Sequence, residues 1–422
     1  MRVLILSQYF WPESFRINEV AQSLSEAGCA VTVLTGQPNY PDGRIFPGYR
    51  MLGVGREEVA ACTVYRVPLA PRGRGGALRL AVNYVSFVVS ASVIGSWLLR
   101  RQRFDVILVY GISPILQAIP GIVLRRVTAA ALVPWVQDLW PQSLQATGFV
   151  RSPRLLRMVE RVVRWIYRRS DLLLVQSRGF VPIVSAMCGG TPVEYHPNPG
   201  ESAFHDPQSA AAPALRLKPG FNVVFAGNLG TAQALDTVVS AAQLLANDGD
   251  VHFVLIGSGS RSEWLQAEVQ RRGLGNVEFP GRYAPADMPA ILAQASVLLV
   301  TLARSPVMSQ TIPSKIQAYL AAGRPLIAAL DGEGAAVVAE AGAGLTCPAE
   351  DGSALADAIR RMRSATPQER HEMGERGRLY YQQHFEPSAL ALQLMRKLAS
   401  IAESRNSIDR KRLSGRGGQA NG

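Results

Sequence analysis

The stretch FNVVFAGNLGTAQALDTVVSAAQLL, residues 221–245, decides the fold of this 422-residue chain. It begins as a short apolar run, which is typical of a strand buried on both faces, and ends in a helical pattern of apolar residues. Between the two lies the glycine-containing turn Gly227-Asn228-Leu229-Gly230-Thr231. A buried strand that passes through such a turn into a helix predicts one unit of a doubly wound α/β sheet.

The same alternation of strand and helix recurs on both sides of this stretch. Strand-like runs followed by helical patterns or turns are VLILS (3–7), AVTVLT (30–35), FDVILVYG (104–111), AALVPWV (130–136), DLLLVQS (171–177), VHFVLIG (251–257), NVEFPG (276–281), SVLLVTL (296–302) and RPLIAAL (324–330). A segment at 198–220 is rich in Pro, Ala and Gly and predicts a linker. We therefore expect two tandem Rossmann-like domains that face a cleft, with ligands at the carboxyl ends of their strands.

The expected boundaries follow from this pattern. The first domain covers residues 1–204, and the second covers 215–384. A C-terminal helix over 385–402 is expected to pack back on the first domain, and residues 403–422 are expected to form a disordered basic tail.

Composition excludes several classes of protein. Apolar residues make up 48% of the chain and charged residues 18%, which excludes global disorder. The four cysteines form no CxxC pair, which argues against a disulfide scaffold or a cysteine zinc site. The N-terminal run MRVLILSQYF has no cleavage signal after it and is expected to be a buried strand rather than a signal peptide.

The net charge of +12 is unevenly distributed. Residues 1–204 contain 22 arginines, no lysine and 12 acidic residues, whereas residues 205–402 contain 17 basic and 18 acidic residues. A basic first half suggests a polyanionic partner, which could be nucleic acid, an anionic membrane or a phosphorylated substrate. The arginines show no nucleic-acid reader motif and no interleaved aromatic residues, so nucleic acid is disfavoured.

The loops of the second domain hold the clearest candidate binding residues. Glycines at a strand end free backbone N–H groups, and a helix N-terminus favours an anion. In SQTIPSKIQAY (309–319), Lys315 falls in the first turn of a helix, where the helix dipole disfavours a cation unless an anion also lies there. The alternatives are a turn without a ligand at 227–231 and a simply exposed Lys315. Glu333, near the start of the next helix, could accept hydrogen bonds from ribose or sugar hydroxyls, or could be an ordinary first-turn acid.

These motifs, taken together in order, resemble family 4 glycosyltransferases, the retaining enzymes of the GT-B fold. The second-domain motifs are FAGNLGTAQALDTVVSAAQLL, VHFVLIGSG, NVEFPGR and TIPSKIQAYLAAGRPLIAALDGEGAAVVAEAGAGL. In the first domain, FWPESFRINE (10–19), VTVLTGQPNYPDG and QDLWPQSL (137–144) resemble WbuB-type bacterial enzymes, which build surface polysaccharides on lipid carriers. The resemblance covers nearly the whole chain.

The resemblance implies the roles of individual residues. Candidate donor-binding residues are Gly227, Asn228, Gly230, Thr231, Gly257, Ser309, Gln310, Thr311, Ser314, Lys315, Gln317 and Glu333. Candidate catalytic or positioning residues are Asp138 and Glu13, although Asp138 could instead be a helix N-cap. Candidate acceptor-binding residues are Arg16, Asn18 and Trp140.

The chain also departs from the family pattern. The family's usual pair of glutamates is matched by Ser309 and Gln317. Its usual arginine and lysine on the donor diphosphate are matched by Asn228 and Gln233, and its first-domain histidine by Gln137. We therefore expect Lys315 and the amides of the 227–231 loop to bind the diphosphate.

The implied reaction is retaining transfer from a nucleotide-diphosphate sugar, with no cofactor and no metal. Backbone amides, helix termini and a lysine can stabilise a leaving diphosphate without a metal. Asp248-Gly249-Asp250 matches a metal-binding Asp-x-Asp pattern, but it lies between a helix and a strand and is expected to be a turn. The five histidines show no metal-binding spacing.

Two segments of the first domain suggest a membrane. LAVNYVSFVVSASVIGSWLL (80–99) carries no charge and has arginines on both sides. It is long enough to span a bilayer, but a span would divide the first domain, so we expect it to lie in the interface or be buried in the fold.

In the helix predicted at 152–169, the arginines Arg154, Arg157, Arg161, Arg164 and Arg168 form one face. Apolar residues with Trp165 lie opposite, a pattern typical of a membrane-surface helix or, alternatively, of a core-packed helix with a solvated face.

The sequence therefore predicts a peripheral glycosyltransferase at the cytoplasmic face of the inner membrane. It would transfer a sugar to a polyprenyl-diphosphate-linked saccharide in surface polysaccharide synthesis. Two alternatives keep the fold: a nucleotide-sugar epimerase, and a non-catalytic assembly partner with a degenerate donor site.

Overall fold

The computed structural model of the chain describes residues 1–73, 76–146, 150, 152–200 and 214–417. These residues divide into two compact units. Unit 1 comprises Met1–Asn198 together with the segment from Pro387 onward, and unit 2 comprises Pro199–Glu386. The first unit therefore ends six residues before the predicted boundary at 204. Most of the predicted linker, residues 201–213, lies outside the described residues.

Unit 1 contains an eight-stranded sheet in the order β3-β4-β2-β1-β5-β6-β7-β8. All neighbouring strands are parallel except the pair β3–β4, which is an antiparallel hairpin. The strands are β1 (Arg2–Leu6), β2 (Ala30–Thr35), β3 (Gly55–Val59), β4 (Cys62–Arg66), β5 (Val106–Gly111), β6 (Ala131–Val136), β7 (Leu173–Val175) and β8 (Val193–Tyr195).

Helices cover both faces of this sheet because its central strands are apolar on both sides. Along β5, for example, Ile107 and Val109 enter one core, which we call the first core, whereas Leu108 and Tyr110 enter the second core on the opposite face of the sheet. The helices of unit 1 are α1 (Ile17–Glu26), α2 (Ala77–Ser90), α3 (Ser96–Leu99), α4 (Ala118–Thr128), α5 (Gln142–Ala146), α6 (Pro153–Tyr167), α7 (Phe180–Cys188) and α15 (Pro387–Gly417).

Unit 2 contains a six-stranded, all-parallel sheet in the order β11-β10-β9-β12-β13-β14. Its strands are β9 (Phe221–Asn228), β10 (Val251–Ser258), β11 (Val277–Gly281), β12 (Val297–Thr301), β13 (Leu326–Ala329) and β14 (Gly344–Cys347). Its helices are α8 (Leu235–Leu244), α9 (Ser262–Arg271), α10 (Met288–Leu292), α11 (Ser314–Ala321), α12 (Glu333–Glu340), α13 (Gly352–Ser364) and α14 (Pro367–His384). The order of strands reverses between β9 and β12, which is the switch point where doubly wound sheets bind ligands.

The predicted α/β class and its doubly wound pattern are confirmed. Every strand-like run named from the sequence contains a strand of the structure. The sequence pattern missed β3, β4, β8 and β14, which lie toward the outer edges of the two sheets. These strands are short and mix apolar with polar residues, so they lack the continuous apolar run that marks a central strand.

Helix α15 completes the second core of unit 1. Leu394, Leu398 and Ala402 are buried there against residues of the sheet and of α1. The helix continues to Gly417 and so includes residues 403–417, for which the sequence analysis expected a disordered tail. One physical reason is an ion pair at 2.8 Å between Arg405 and Asp171, which holds the helix beyond residue 402. Residues 418–422 lie outside the described residues.

The uncharged segment at 80–99 forms α2, a π-helical turn over Ala91–Gly95, and α3. Within the described residues, the helix Leu78–Leu99 is the one that is long and apolar enough to cross a bilayer by length and composition. It packs one side against unit 1, where Phe87, Ala91 and Leu99 are buried in the first core. A Cβ on Gly95 would lie 2.6 Å from a methyl group of Leu34, so the missing side chain lets the helix approach β2 closely.

Candidate functional site

The candidate donor site lies where β9 and β10 end side by side in unit 2. Gly227 and Gly257 pair across the two parallel strands, with φ of +136° and +133°. A Cβ on Gly257 would lie 1.9 Å from the carbonyl oxygen of Gly227, so a side chain at 257 cannot be accommodated. The two glycines bring the strand ends close together at the edge where a ligand is expected.

Lys315 lies directly over this edge. It is the second residue of α11, and its side chain passes so close to Gly227 that a Cβ there would lie 2.6 Å from Lys315 Cε and 3.2 Å from Nζ. Its Nζ also lies 4.7 Å from the ring centroid of Phe225. Burial lowers the pKa of Lys315 to about 8. Among the residues that the structure describes, no carboxylate lies within ion-pair distance of this ammonium group.

A buried tyrosine fixes α11 in this position. The Tyr319 hydroxyl accepts a hydrogen bond from Ala226 N at 2.8 Å and donates to Ala226 O at 3.2 Å. This links the helix that carries Lys315 to the strand that carries Gly227. The sequence analysis did not single out Tyr319; the only signal was its place one helical turn after Lys315.

The loop after β9 is held by one nearby side chain and by the end of β10. Gly230 N donates to Gln233 Oε1 at 3.1 Å, and Leu229 N donates to Ser258 O at 3.0 Å. These two amides are therefore already engaged, and the prediction that the whole 227–231 loop offers free amides is wrong for them. Asn228 is exposed at the strand end, and Thr231 begins a short 3-10 turn with an exposed side chain.

The segment 308–311 faces the start of α12. A Cβ on Gly332 would lie 2.0 Å from Ser309 O, so the turn at Met308–Gln310 packs against the residue before Glu333. Glu333 is half-buried as the first residue of α12. Ser309 Oγ and Thr311 Oγ1 donate to local carbonyls at 3.1 and 2.9 Å.

Three other predicted donor residues take up different positions. Ser314 is exposed at the start of α11, and Gln310 donates weakly to Ser309 Oγ at 3.4 Å. Gln317 is only 4% exposed and packs inside the unit. Its position on the buried side of α11 disagrees with the prediction that its side chain contacts the donor. A glutamine can be buried there because it carries no charge to desolvate.

A second cation near this site was missed by the sequence analysis. Arg304 follows β12, and its Nε lies 3.5 Å from Asp331 Oδ2 while its guanidinium donates to Ala349 O at 2.9 Å. Asp331 in turn accepts from Ala349 N at 3.1 Å. Position after a strand was the only sequence signal for Arg304.

In unit 1, Glu13 joins the loops that follow β1 and β2. Its Oε1 accepts hydrogen bonds from Asn39 N and Tyr40 N, both at 2.7 Å, and its Oε2 accepts from Phe10 N at 3.3 Å. The side chain is 2% exposed. Burial raises the pKa of Glu13 to about 6, against the lowering effect of these three amides.

The predicted acceptor residues Asn18 and Arg16 lie beside Glu13. Asn18 Oδ1 accepts from Trp11 N at 3.0 Å, and Asn18 Nδ2 donates to Glu13 O at 2.7 Å. Asn18 therefore braces the loop after β1. Arg16 is half-buried immediately before α1.

Asp138 and Trp140 come together after β6. Trp140 Nε1 donates to Ser113 Oγ at 2.7 Å, and that hydroxyl donates to Asp138 Oδ2 at 2.9 Å. Ser113 follows β5, the neighbour of β6, so the chain of hydrogen bonds ties two strand ends together. Gln137, beside Asp138, accepts from Asn198 Nδ2 at 2.6 Å.

Further polar residues of unit 1 surround these loops and were not predicted. Burial raises the pKa of Tyr9 and of Tyr84, and the positive charge of Arg72 opposes both shifts. The carboxylate of Asp138 raises the Tyr84 pKa further, and that of Glu13 acts in the same way on Tyr9. Tyr9 therefore lies within electrostatic range of Glu13, and Tyr84 within range of Asp138, with Arg72 near both tyrosines.

The described residues do not offer an obvious metal site. Within those ranges, His, Cys, Asp and Glu form no group of three or more that could hold a metal ion. The Asp248-Gly249-Asp250 segment lies in the connection from α8 to β10, where both aspartates form ion pairs with Arg363. It is a turn, as the sequence analysis expected.

Two family models match the chain. The model for glycosyl transferases group 1 matches residues 220–364, and the model for the glycosyl transferase 4-like domain matches residues 14–199. The two matches follow the division into unit 2 and unit 1 closely.

Two curated proteins are similar in sequence. The chain is 26% identical over 338 residues to WcaI of Escherichia coli K12, whose name describes a colanic acid biosynthesis glycosyl transferase; the match covers 76% of this chain and 82% of WcaI. It is also 26% identical over 309 residues to the glycosyltransferase WbjE of Pseudomonas aeruginosa, covering 70% and 74% of the two chains.

Solved structures share the fold of nearly the whole chain. Sucrose-phosphate synthase from Thermosynechococcus elongatus superposes with a TM-score of 0.71 at 19% identity, covering 96% of this chain and 99% of the other. An α,α-trehalose-phosphate synthase from Burkholderia vietnamiensis gives a TM-score of 0.72 at 15% identity and coverage of 94% and 97%. Anabaena HepE in complex with UDP and glucose gives 0.65 at 16% identity, covering 95% and 100%.

The two family matches agree with the strand order of the two units and with the glycines at the strand ends under Lys315. The chain therefore belongs to the family 4 glycosyltransferases of the GT-B fold.

Proposed function

We propose that this glycosyltransferase transfers a sugar from a nucleotide-diphosphate sugar to a polyprenyl-diphosphate-linked saccharide during synthesis of a cell-surface polysaccharide. The transfer retains the configuration of the sugar and requires neither a metal nor another cofactor. The relatives WcaI and WbjE support a carbohydrate-assembly role, and the HepE structure with UDP and glucose supports a nucleotide-sugar donor.

The observation that carries the donor half of this proposal is the position of Lys315. A half-buried cation without a carboxylate partner loses hydration free energy that an anionic ligand would restore. It lies at the first turn of α11, and its side chain packs over Gly227, which has no side chain of its own. Charge that develops on the leaving diphosphate would be stabilised by this ammonium group and by the N-terminal end of α11.

The direct test is nucleotide binding by a Lys315→Met variant. We expect titration calorimetry with a panel of nucleoside diphosphates to give a dissociation constant at least tenfold higher than that of the wild type for the preferred nucleotide. Lys218→Met is a matched control, because Lys218 also belongs to unit 2 but precedes β9 and pairs with Glu278. Equal affinity in wild type and Lys315→Met would contradict the assignment of Lys315 to the diphosphate.

A non-catalytic assembly partner remains the second candidate function. Its support is the absence of charge at Asn228, Gln233, Ser309 and Gln317, the four positions that match charged residues of the family. The two candidates differ in one outcome of the same titration. A wild-type chain that binds none of the nucleotides in the panel would favour the assembly partner, whereas selective binding of one nucleotide favours the transferase.

On the acceptor side, Asp138 and Glu13 remain the candidate catalytic or positioning groups. Asp138 is half-buried and receives one hydrogen bond through Ser113, so it retains capacity to accept from a substrate hydroxyl. Glu13 already receives three backbone hydrogen bonds and is better suited to fix the loops than to touch the substrate. We therefore assign the acceptor-contacting role to Asp138 and the positioning role to Glu13.

The polyprenyl part of the proposal rests on the surface of unit 1. Six large apolar side chains along the helix Leu78–Leu99 are between 50% and 78% exposed and recur every three or four residues. They are Leu78, Val82, Val85, Val89, Val93 and Trp97. We refer to them as the α2–α3 stripe. Inserting six half-exposed side chains of this size into a bilayer interface is worth on the order of 5 kcal/mol.

Arginines flank this stripe and continue on α6. Arg79, Arg100 and Arg101 are exposed near the two ends of the helix, and the Arg100 guanidinium lies 4.5 Å from the ring centroid of Trp97. On α6, the side chains of Arg154, Arg157 and Arg161 are exposed together with those of Leu155, Met158 and Trp165, and Arg168, directly after the helix, is exposed as well.

Both helices pack on the same core of unit 1, so they belong to one helical layer. We propose that this layer docks on the anionic cytoplasmic face of the inner membrane, where each arginine near the surface adds about 1 kcal/mol at low salt.

A further inference from the structure

An arginine surrounded by tyrosines lies in unit 1 and has no role so far in the proposed reaction. Arg72 follows β4 in the connection to α2, and its guanidinium lies 5.2 Å from the ring centroid of Tyr40. Its backbone N donates to Asn39 Oδ1 at 3.1 Å. Arg72 is half-buried, and it forms no ion pair among the residues that the structure describes. A half-buried guanidinium without a carboxylate partner favours an anionic ligand.

Tyr9 supplies a buried hydroxyl at the same place. It follows β1, is 2% exposed, and its ring centroid lies 4.9 Å from that of Phe15 and 5.9 Å from that of Tyr40. Burial raises the pKa of this hydroxyl and the positive charge of Arg72 opposes the shift, so the two groups lie within electrostatic range. Within the described ranges, the Tyr9 hydroxyl makes no hydrogen bond of good geometry. Such a group costs folding free energy unless a ligand completes its hydrogen bonding.

Tyr84 brings a second hydroxyl from α2. Its neighbour Asn83 accepts from Gln8 Nε2 at 2.7 Å and donates from Nδ2 to Ala70 O at 2.6 Å. These two bonds hold this turn of α2 against the end of β1 and against the segment before Arg72. Burial raises the pKa of Tyr84, and Arg72 opposes that shift as well. The guanidinium and the two tyrosine hydroxyls thus come from three segments to the same edge of the sheet.

The donors of this cluster fit a phosphate. A guanidinium presents several N–H groups and accepts no hydrogen bond, so a ligand of Arg72 needs lone pairs and gains most from a negative charge. Each tyrosine adds one O–H donor. The oxygens of a phosphate can accept from several directions at once, and hydrogen bonds to a charged partner are the stronger kind.

A second arginine adds positive charge beside Arg72. A Cβ on Gly73 would lie 2.9 Å from Cδ and 3.1 Å from Nη1 of Arg79, so this side chain lies over the residue after Arg72. Arg79 is exposed on α2 and has no ion pair within the part of the chain that the structure describes. Leu78 and Val82 of the α2–α3 stripe belong to the same end of this helix. A phosphate bound here would therefore lie next to the surface that we place at the membrane.

Hydrogen bonds connect the cluster with the loop of Asp138. Gln8, the residue before Tyr9, donates from N to Gln117 Oε1 at 2.9 Å, and Gln117 donates from Nε2 to the loop after β5 at 2.8 Å. Ser113 of that loop donates to Asp138 Oδ2 at 2.9 Å. The loops after β1, β5 and β6 thus hold the cluster and the candidate catalytic carboxylate along one edge of the sheet.

We propose that Arg72, with the hydroxyls of Tyr9 and Tyr84, binds a phosphate of the lipid-linked diphosphate in the acceptor. The inference rests on the proposed function, because it assumes an acceptor saccharide attached through a diphosphate to a membrane lipid. Arg79 attracts the same diphosphate, and the lipid chain lies along the α2–α3 stripe. The site fixes the end of the acceptor that enters the membrane and leaves its sugar on the side of Asp138.

The test measures binding of farnesyl diphosphate, inorganic diphosphate and farnesol to the full-length chain by titration calorimetry. The parent is Lys315→Met, which lacks the cation that we assign to the donor diphosphate. In this parent we compare Arg72→Gln, Tyr9→Phe and Tyr84→Phe. Arg126→Gln is the matched control, because Arg126 is an exposed arginine in the last turn of α4, at the opposite edge of the sheet.

We expect Arg72→Gln to bind farnesyl diphosphate at least tenfold more weakly than the parent, and each tyrosine variant at least threefold more weakly. Arg126→Gln should bind it as the parent does, and Arg72→Lys should recover part of the affinity. Tighter binding of farnesyl diphosphate than of inorganic diphosphate supports the lipid-linked source, whereas equal binding would assign the site to a free phosphate and overturn that source. Equal affinity in Arg72→Gln and its parent, or binding of farnesol as tight as that of farnesyl diphosphate, would overturn the proposal.

Thermal unfolding without ligand separates binding from a structural role. Because the Tyr9 hydroxyl lacks a good hydrogen bond to the described groups, Tyr9→Phe should unfold at the same temperature as its parent or at a higher one. A hydroxyl that the fold itself requires would lower that temperature, and this outcome would overturn the role of Tyr9 in binding.

Nucleotide titration of the wild type separates this inference from the proposed function. If the wild type binds no nucleotide of the panel while binding of farnesyl diphosphate still depends on Arg72, the phosphate site stands and the transferase proposal fails. If a nucleotide binds through Lys315 while the Arg72 variants change nothing, the transferase proposal stands and the phosphate site fails.

Discussion

At the scale of single residues, Lys315 predicts a definite pH dependence of donor binding. Its folded pKa is lowered by burial to about 8, whereas a bound diphosphate would raise it again. Binding should therefore take up a proton above pH 8. We expect nucleotide affinity to fall up to tenfold per pH unit as the pH rises above 8, measured by calorimetry in buffers of different ionisation enthalpy. A Lys315→Arg variant stays protonated and should show little of this dependence; an equally steep fall in that variant would contradict the explanation.

Glu13 predicts a pH dependence of stability in unit 1. Its folded pKa is raised by burial from 4.5 to about 6, so the folded state binds the proton more tightly than the unfolded state does. Its contribution to stability is therefore full below pH 4.5 and is lost as the pH rises through 6, by about 2 kcal/mol in total. In a Glu13→Gln variant, chemical denaturation between pH 4.5 and 7 should lack this decline.

The Glu13→Gln experiment has a matched control in Glu26→Gln, which removes an exposed carboxylate from α1. That control should retain the decline of the wild type. The introduced carboxamide can still accept from Asn39 N and Tyr40 N, but its NH₂ group would face Phe10 N–H. We therefore expect some loss of stability at every pH in Glu13→Gln, and the difference in slope is the informative quantity.

Single residues also show where sequence analysis of the site stops. The sequence analysis identified Lys315 as a candidate binding residue because a cation in the first turn of a helix is unfavourable without an anion. The structure adds that its side chain lies over Gly227. The engagement of Gly230 N by Gln233 could not be foreseen, because it depends on a side-chain rotamer within a turn. The burial of Gln317 depends on which side of α11 faces the core, and the short helix has too few residues to fix that side by periodicity.

At the scale of elements, the α2–α3 stripe predicts membrane binding that depends on apolar contact. A Val85→Gln/Val89→Gln/Trp97→Gln variant should lose most of its co-sedimentation with vesicles of mixed zwitterionic and anionic lipid. These side chains are exposed, so their substitution should cost little stability. Leu244→Gln/Leu379→Gln is the control, because it removes apolar side chains of similar exposure from unit 2. Similar sedimentation of both variants would argue against docking through this stripe.

Elements also differ in how far their sequence patterns determine them. Central strands such as β5 and β12 could be predicted because each is an unbroken apolar run between polar turns. The hairpin β3–β4 could not, since GREEV and CTVYR contain charges on an edge that faces solvent.

At the scale of the whole molecule, the charge asymmetry noted in the sequence has a structural counterpart in unit 1. The exposed arginines of α6 and those near the ends of the α2–α3 stripe belong to one helical layer. Unit 2 instead balances its charges in local ion pairs, such as those of Glu268 with Arg271 and Arg272. The net charge of +12 is thus concentrated in the unit for which we propose a membrane and an anionic acceptor, and the unit that we assign to the donor is nearly neutral.

The return of α15 to unit 1 has a consequence for how the protein is made. Unit 1 needs Leu394 and Leu398 to cover its second core, yet the ribosome adds them only after the whole of unit 2. During synthesis the first core can form early, whereas the apolar face of the second core, which α15 covers in the finished protein, stays exposed. Unit 2 is continuous in sequence and does not wait for later residues, so it can finish folding first. The first-made part of this enzyme is therefore the last to be completed, and its exposed face is a natural target for chaperones during translation.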